Sequence, residues 1–210
     1  MIQAVIFDFG GVFTHGERSY TRLREFDALL GWPSGTMQNR LFAGEAWELA
    51  STGIISPEEH WARVGAELES RLPPDFFRFK GDPFHLEVIN DDIVAVAQRL
   101  RSHYRLALCS NALPGLADLL GELPEVKGLF DVVVISALVG LRKPDPRIFE
   151  LTTEWLGLPL TACLLVDDKE RNVRAAEALG MPTVLFRSAA QLEATLRARL
   201  EARSEPLRFE

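Results

Sequence analysis

The chain has 210 residues, 47% of them apolar, and a formal net charge of −7. That length and apolar content suit one globular domain, or one domain carrying a smaller insertion, and no segment is low-complexity. The negative balance argues against nucleic acid as a partner, no apolar run is long enough to span a bilayer, and the N-terminus lacks a basic region leading into a signal core.

The two cysteines, Cys109 and Cys163, each lie within an apolar run, so they are expected as small core residues of a cytoplasmic protein rather than a disulfide. An anionic substrate would need local positive charge in a cleft to overcome the overall field.

Residues 4 to 8, Ala-Val-Ile-Phe-Asp, form a short apolar run closed by one acid and then by Gly10 and Gly11. Such a run reads as a strand buried on both faces. Residues 10 to 16 form a glycine-bounded excursion, and from Glu17 to about Lys80 the pattern is helical. Leu23, Phe26, Leu29 and Leu30 recur at helix spacing until Gly31 and Pro33 stop them. Ser56-Pro57-Glu58-Glu59 carries an N-cap serine, a first-turn proline and an acid at the third position, and Trp61, Val64 and Leu68 give the following helix one apolar face. Pro73 and Pro74 break the pattern. No strand pattern stands out here, so residues 16–87 are expected to be an inserted helical subdomain and 1–15 with 88–210 the core.

The alternation resumes near Ile89. Asn90 or Asp91 can cap a helix bearing Ile93, Val96, Ala97 and Leu100. Strands follow at Leu106 to Cys109, Val132 to Ser136, Cys163 to Val166 and Thr183 to Phe186. The intervening helices start at Pro114, run to about Leu156, carry Val173, Ala176 and Leu179, and end with one bearing Leu192, Leu196 and Leu200. The last seven residues read as a loose tail. Strands alternating with helices through short connections predict an α/β fold: a Rossmann-like, doubly wound parallel sheet of about five strands.

In a parallel sheet the carboxyl ends of all strands face one edge, where ligands bind. Asp8 closes the first strand, Ser110 and Asn111 the second, Asp167 and Asp168 the fourth, and Lys143 lies in the loop after the third. Each has a plain structural reading: capping for Ser110-Asn111, a helix-dipole partner for Asp167-Asp168, a solvated loop cation for Lys143. Together they are a carboxylate nucleophile, acids suited to a hard divalent cation, an ammonium, and hydroxyl and amide donors. Those parts suit phosphoryl transfer, in which catalysis is mostly positioning and charge neutralisation. The helix entered at Pro114 would add free backbone N–H groups.

With these residues in place the chain resembles the haloacid dehalogenase superfamily, most of whose members are Mg²⁺-dependent phosphatases. Phe7-Asp8-Phe9-Gly10-Gly11-Val12, Leu108-Cys109-Ser110-Asn111, Gly140-Leu-Arg-Lys143-Pro-Asp-Pro, and Val166-Asp167-Asp168 with Asn172 and Ala175-Ala176 match its four motifs in order. The insertion is similar to the small α-helical cap of the family's first subfamily, down to Gly44-Glu45-Ala46-Trp47 and Gly53-Ile-Ile-Ser56. The resemblance is closest to the branch holding the amino-terminal phosphatase domain of soluble epoxide hydrolases and bacterial sugar-phosphate phosphatases.

Carried over, the resemblance implies that Asp8 attacks phosphorus and becomes an aspartyl phosphate. Ser110, the Asn111 backbone and Gly11 would hold the phosphoryl oxygens, and Lys143 would neutralise both Asp8 and the phosphate. Mg²⁺ would sit on Asp8, the carbonyl of Gly10 and Asp168, with Asp167 a ligand or a close neighbour. One position departs from the pattern. Most phosphatases of the family carry a second aspartate, the general acid and base, where this chain has Gly10. His15 flanks the pocket as a candidate for substrate contact or proton transfer; Arg142 reads as structural or as a salt-bridge partner, and Arg40, Phe42 and Trp47 as possible substrate contacts from the cap.

The expected function is Mg²⁺-dependent hydrolysis of small phosphate monoesters, the partner being a small phosphorylated metabolite. The oligomeric state is left open. A 2-haloacid dehalogenase is one alternative, since those enzymes also lack the second aspartate, but they lack the paired acids too. A catalytically weak relative that only binds phosphorylated ligands or proteins is the other.

Overall fold

A computed structural model describes residues 1–15, 20–66 and 88–201. The first strand, β1 (Ala4–Phe7), is at most 1% exposed at every position. It has strands on both sides and helices on both faces, which is why its residues are apolar without alternation. The elements that follow are helices α1 (Thr21–Leu30), α2 (Thr36–Phe42), α3 (Gly44–Ala50), α4 (Pro57–Ala66) and α5 (Asp91–Leu100), then β2 (Arg105–Ser110), α6 (Leu116–Glu122), β3 (Val132–Ile135), α7 (Ser136–Val139), α8 (Pro146–Leu156), β4 (Cys163–Asp167), α9 (Glu170–Ala178), β5 (Thr183–Leu185) and α10 (Ala189–Glu201). The five strands form one parallel sheet in the order β3-β2-β1-β4-β5, a Rossmann-like arrangement.

Register places Phe7 opposite both Leu108 and Val166, so the residues that follow in β1, β2 and β4 reach the same edge together. Val5 and Phe7 pack on one face with α5 and α10, through Ile93, Val96, Leu192 and Leu196. Ala4 and Ile6 face the other way, onto Ile148 and Phe149 of α8 and Ala176 of α9. Among the described residues no helix is long and apolar enough to cross a membrane.

The chain leaves and re-enters the core at adjacent points. Thr14 and Ile89 form an antiparallel bridge, and the His15 amide donates to the Val88 carbonyl at 2.7 Å. Between them, α1 to α4 build a small core of their own from Leu23, Phe26, Met37, Leu41 and Trp61. The Ser56 hydroxyl accepts from the Glu59 amide at 3.1 Å, the cap its sequence predicts. The N-cap of α2 is Gly35, which has no side chain to offer; the buried carboxylate of Asp27 caps the helix from α1 instead, accepting from the Gly35 and Met37 amides, both at 2.7 Å.

Several boundaries differ from expectation. The start of the glycine-bounded excursion is a single wide turn over Phe9–Phe13, broken by non-helical backbone at Gly10 and Gly11. Ser136 opens α7 instead of ending β3, because its buried hydroxyl accepts from the Ala112 amide at 3.0 Å. Phe186 falls outside β5, and the helix expected from Pro114 begins at Leu116, with Leu113 buried against the inserted helices. Leu29 is 64% exposed, so the apolar stripe of α1 is narrower than its leucines suggest. Asn90 precedes α5 without capping it by its side chain, whose Nδ2 donates to the Val12 carbonyl at 3.4 Å. Leu68, Pro73, Pro74, Lys80, the side chain of Leu200 and the terminal tail lie outside the described residues.

The inserted helices touch the core closely. Leu113 packs with Trp47, Ala50 and Ile55. Gly53, at φ +71°, lies so near the core that a Cβ there would stand 2.4 Å from the Ala137 carbonyl oxygen. Gly157 has a similar φ of +64° but open space around it. Left-handed φ alone costs an ordinary residue about 1–2 kcal/mol. Gly157→Ala should therefore lower stability by about that much, and Gly53→Ala by about 1–3 kcal/mol more as backbone is pushed apart; chemical denaturation of both variants checks the difference.

Candidate active site

Lys143 is the most unusual residue of the sheet edge: an ammonium only 1% exposed. Its Nζ lies 2.6 Å from Asp167 Oδ2 and 2.9 Å from Asp8 Oδ1. Burial works against its charge, but Asp167 and Asp8 outweigh burial and hold the group protonated, with its pKa raised. The loop carrying it is fixed by Asn111, whose side chain donates to the Lys143 carbonyl and accepts from the Lys143 amide, both at 2.8 Å. Asn111 thus acts on Lys143 through its side chain, and the residue lines the cavity.

Asp8 is 7% exposed at the end of β1. Its Oδ1 also accepts from the Phe9 amide at 2.7 Å, while Oδ2 carries no hydrogen bond among the described residues. Burial raises its pKa to about 7; Lys143 opposes this, and Asp167 and Asp168 add to it.

The two adjacent acids of β4 differ. Asp167 is saturated by protein donors: Lys143 Nζ, the Lys169 amide at 2.8 Å and Asn172 Nδ2 at 3.0 Å from each oxygen. Asp168 pairs through Oδ2 with Lys169 Nζ at 2.6 Å, but its buried Oδ1 has no partner among the described residues. Asp8, Asp167 and Asp168 present oxygens within 4.8 Å of one another. Three carboxylates face one buried ammonium and one largely exposed lysine, so the interior lacks positive charge. Asp8 and Asp168 fit a hard divalent cation; Asp167 fits the role of holding Lys143.

Gly10 and Gly11 have separate reasons. Gly11 sits at φ +82°, and a Cβ there would meet Asp168 Oδ2 at 2.6 Å, so side chain and acid cannot share the space. Gly10 has an ordinary φ of −67° and nothing within 4 Å of where its Cβ would be. Positive φ is therefore the demand on Gly11, not on Gly10.

A cavity of about 160 Å³ opens above Asp8. Gly10, Ser110, Asn111 and Lys143 line its floor, Tyr20, Phe42 and Trp47 of the insertion its roof, and Arg142, Lys169 and Arg171 its rim. Among the expected substrate contacts, Gly11 and His15 do not line this cavity; Gly11 lies against Asp168, and His15 stands at the junction with the insertion. Arg40 is turned away, its guanidinium 4.7 Å from the Trp32 ring. Arg142 Nη1 lies 3.4 Å from Glu48 of α3. Tyr20, Lys169 and Arg171 are not among the expected residues; Lys169 follows Asp167-Asp168 directly and Arg171 comes two positions later, and that proximity is the signal that finds the two cations.

Two predictions follow from the burial of charge here. An acid whose native pKa lies above its unfolded value contributes stability below the unfolded pKa and loses it as pH rises through the native one. In chelator, wild type should lose stability between about pH 4 and 7 through Asp8, and Asp8→Asn should not. The melting temperature of the variant relative to wild type should rise between pH 5 and 8. His60, buried between Trp47 and Trp61 and held below its usual pKa by burial, acts with the opposite sign but cancels in the comparison. Separately, Gly11→Ala should displace Asp168 and weaken divalent-cation binding at least tenfold, while Gly10→Ala leaves it near wild type; calorimetric titration measures both.

Comparison with known proteins agrees with this geometry. The haloacid dehalogenase-like hydrolase family model matches residues 2–180. Mouse acyl-CoA dehydrogenase family member 10 is 29% identical over 196 residues, 87% of this chain but 18% of that protein, so the chain spans only a small part of its length. The sesquiterpene phosphatase astK of Aspergillus oryzae is 28% identical over 187 residues, 85% of this chain and 87% of that protein. Among solved structures, a HAD-like family hydrolase of Porphyromonas gingivalis superposes with a TM-score of 0.72 at 26% identity, covering 94% of this chain and 98% of that one. A family enzyme of Bacteroides thetaiotaomicron, solved with magnesium and inorganic phosphate, gives 0.69 at 20% identity over 89% and 95% of the two chains. With four motifs at one sheet edge and a family match over most of its length, the chain belongs to the haloacid dehalogenase-like hydrolases.

Proposed function

We propose that the chain is a Mg²⁺-dependent hydrolase of small phosphate monoesters, with Asp8 as nucleophile and residues 16–87 as a cap over the pocket. The observation that carries this reading is the charge deficit at the sheet edge: Asp8, Asp167 and Asp168 around one buried Lys143, with Asp168 Oδ1 buried and unpartnered. Asp8, Asp168 and the Gly10 carbonyl would hold Mg²⁺, which supplies the missing positive charge beside the phosphoryl oxygens.

The chain's own residues then divide the work. Asp8 Oδ2, the oxygen without a hydrogen bond, attacks phosphorus, and the bond from phosphorus to the leaving oxygen breaks. Lys143 offsets part of the cost of burying the Asp8 charge and offsets charge on the phosphoryl group. Ser110 and the Asn111 backbone orient its oxygens. Water then attacks phosphorus of the aspartyl phosphate, releasing inorganic phosphate and restoring the Asp8 carboxylate. Paired acids favour this substrate over a 2-haloacid, whose carboxylate they would repel. The phosphatase named among the relatives supports the same choice. A cytoplasmic setting suits the two free, buried cysteines.

The test is a metal-titrated screen of phosphate esters with a 2-haloacid as control. Chelator should abolish hydrolysis and Mg²⁺ restore it, Asp8→Asn should be folded and inactive, and the haloacid should not turn over; full activity in excess chelator would reject the metal's part.

Gly10 sets a further expectation. A positioned general acid contributes about 10²–10⁴-fold, mostly for poor leaving groups. Wild type should favour aryl over alkyl phosphates. Because the backbone and space at Gly10 accept a side chain, Gly10→Asp should lower that aryl-to-alkyl ratio, and equal ratios in the two proteins would show that proton delivery does not limit the reaction.

A further inference from the structure

Four cations line the cavity, and two of them are already committed. Lys143 is held by Asp8 and Asp167, and Lys169 by Asp168. Arg142 and Arg171 are not. Arg142 is the residue before Lys143, on the loop that Asn111 fixes, and its side chain is only 18% exposed. Its Nε is buried without an acceptor among the described residues, a standing cost that a bound anion would relieve. Its one ion-pair partner among the described residues, Glu48, is 66% exposed and 3.4 Å away, a weak pair in which the acid loses little by returning to water. Arg171, exposed on the first turn of α9, makes no ion pair among the described residues.

The two arginines also share a place. Both line the cavity above Asp8, and both line an adjoining cleft with Glu48 and Thr52 that runs along the seam between insertion and core. They stand close enough for Arg171 to disfavour the charge on Arg142, on which burial has the larger effect and which Glu48 supports. Two neighbouring guanidiniums lining one cavity suit an anion, and each can bind one with two parallel donors.

We propose that Arg142 and Arg171 form a second anion subsite, so that the preferred substrate is a short phosphate ester bearing a further carboxylate or phosphate. This rests on the reading of Asp8 as the phosphoryl site. Glu48 is the counter-ion that such a group displaces. Tyr20, Phe42 and Trp47 roof the space between the two anion sites, favouring a compact body over a long chain. The competing role for Arg142 is a latch to Glu48 that merely holds the insertion down; Arg171, unpaired with Glu48, separates the two.

Binding of non-hydrolysable phosphonates tests this without requiring turnover. At fixed free Mg²⁺ and ionic strength, calorimetry compares ω-carboxyalkyl phosphonates of increasing chain length with methyl-terminated phosphonates of the same length, and includes methylenediphosphonate. Wild type should bind the best acid-bearing member about tenfold or more tightly than its plain partner, the scale of a charge-assisted contact. Arg171→Gln and Arg142→Gln should each remove most of that preference, and Glu48→Gln should keep or increase it. Tighter binding of methylenediphosphonate than of any carboxylate would assign the second group as phosphate, and the reverse as carboxylate. Equal or absent binding of the paired ligands by wild type, or a preference that survives Arg171→Gln, overturns the subsite. A preference in a protein that hydrolyses no ester leaves the subsite standing and counts against the hydrolase reading; robust hydrolysis without a preference does the opposite.

Discussion

The structure depends on keeping one ammonium charged where almost no water reaches it. Removing a lysine from water costs several kcal/mol, and only close carboxylates with good geometry return it. Lys143 has two, Asp8 and Asp167, at 2.9 and 2.6 Å. This single requirement explains several features of the sheet edge at once. Asp167 is tied by four hydrogen bonds from three donors, so that it cannot turn away. Asn111 grips the Lys143 backbone on both its polar groups. Asp8 is left with one oxygen engaged and one open. The same arrangement leaves an excess of negative charge around Asp168, and so creates the demand for a cation that a hydrolase of this family can use.

The sheet makes that geometry available cheaply in sequence. Because β1, β2 and β4 are parallel and in register, residues far apart in the chain arrive at one edge merely by following a strand of suitable length. The turn after β1 then does two things within Phe9–Phe13: Gly11 clears space for Asp168, and the chain departs into the inserted helices, which return at Ile89 beside Thr14. Close approach at Gly53 and the burial of Leu113 press those helices onto the core, so the roof of the cavity and its floor are parts of one packed unit.

Much of this was legible in the sequence, because strand-end chemistry depends only on where apolar runs stop. Asp8, Ser110, Asn111, Asp167 and Asp168 could be placed at one edge from periodicity alone, and four ordered motifs made the family resemblance specific. What stayed hidden depends on side-chain direction. Nothing in Ser110-Asn111 says that the amide turns to the Lys143 backbone, and Asp167 and Asp168 look equivalent until their partners are counted. Gly10 and Gly11 are indistinguishable by letter, yet only Gly11 has positive φ. Leu29 fits the helical period of α1 but is exposed, since periodicity marks a face without showing how much of it is covered. Arg142 and Arg171 are 29 positions apart, and only the fold brings them to one rim.

The central claim is that the open oxygen of Asp8 takes the phosphoryl group. The most direct measurement is rapid acid quenching of wild-type protein mixed with Mg²⁺ and an aryl phosphate, followed by peptide mass analysis. The account predicts a phosphoryl group on the peptide containing Asp8, appearing in a burst with the first equivalent of released alcohol and absent from Asp8→Asn. Full turnover in Asp8→Asn, or a phosphoryl group on any other residue, would contradict it.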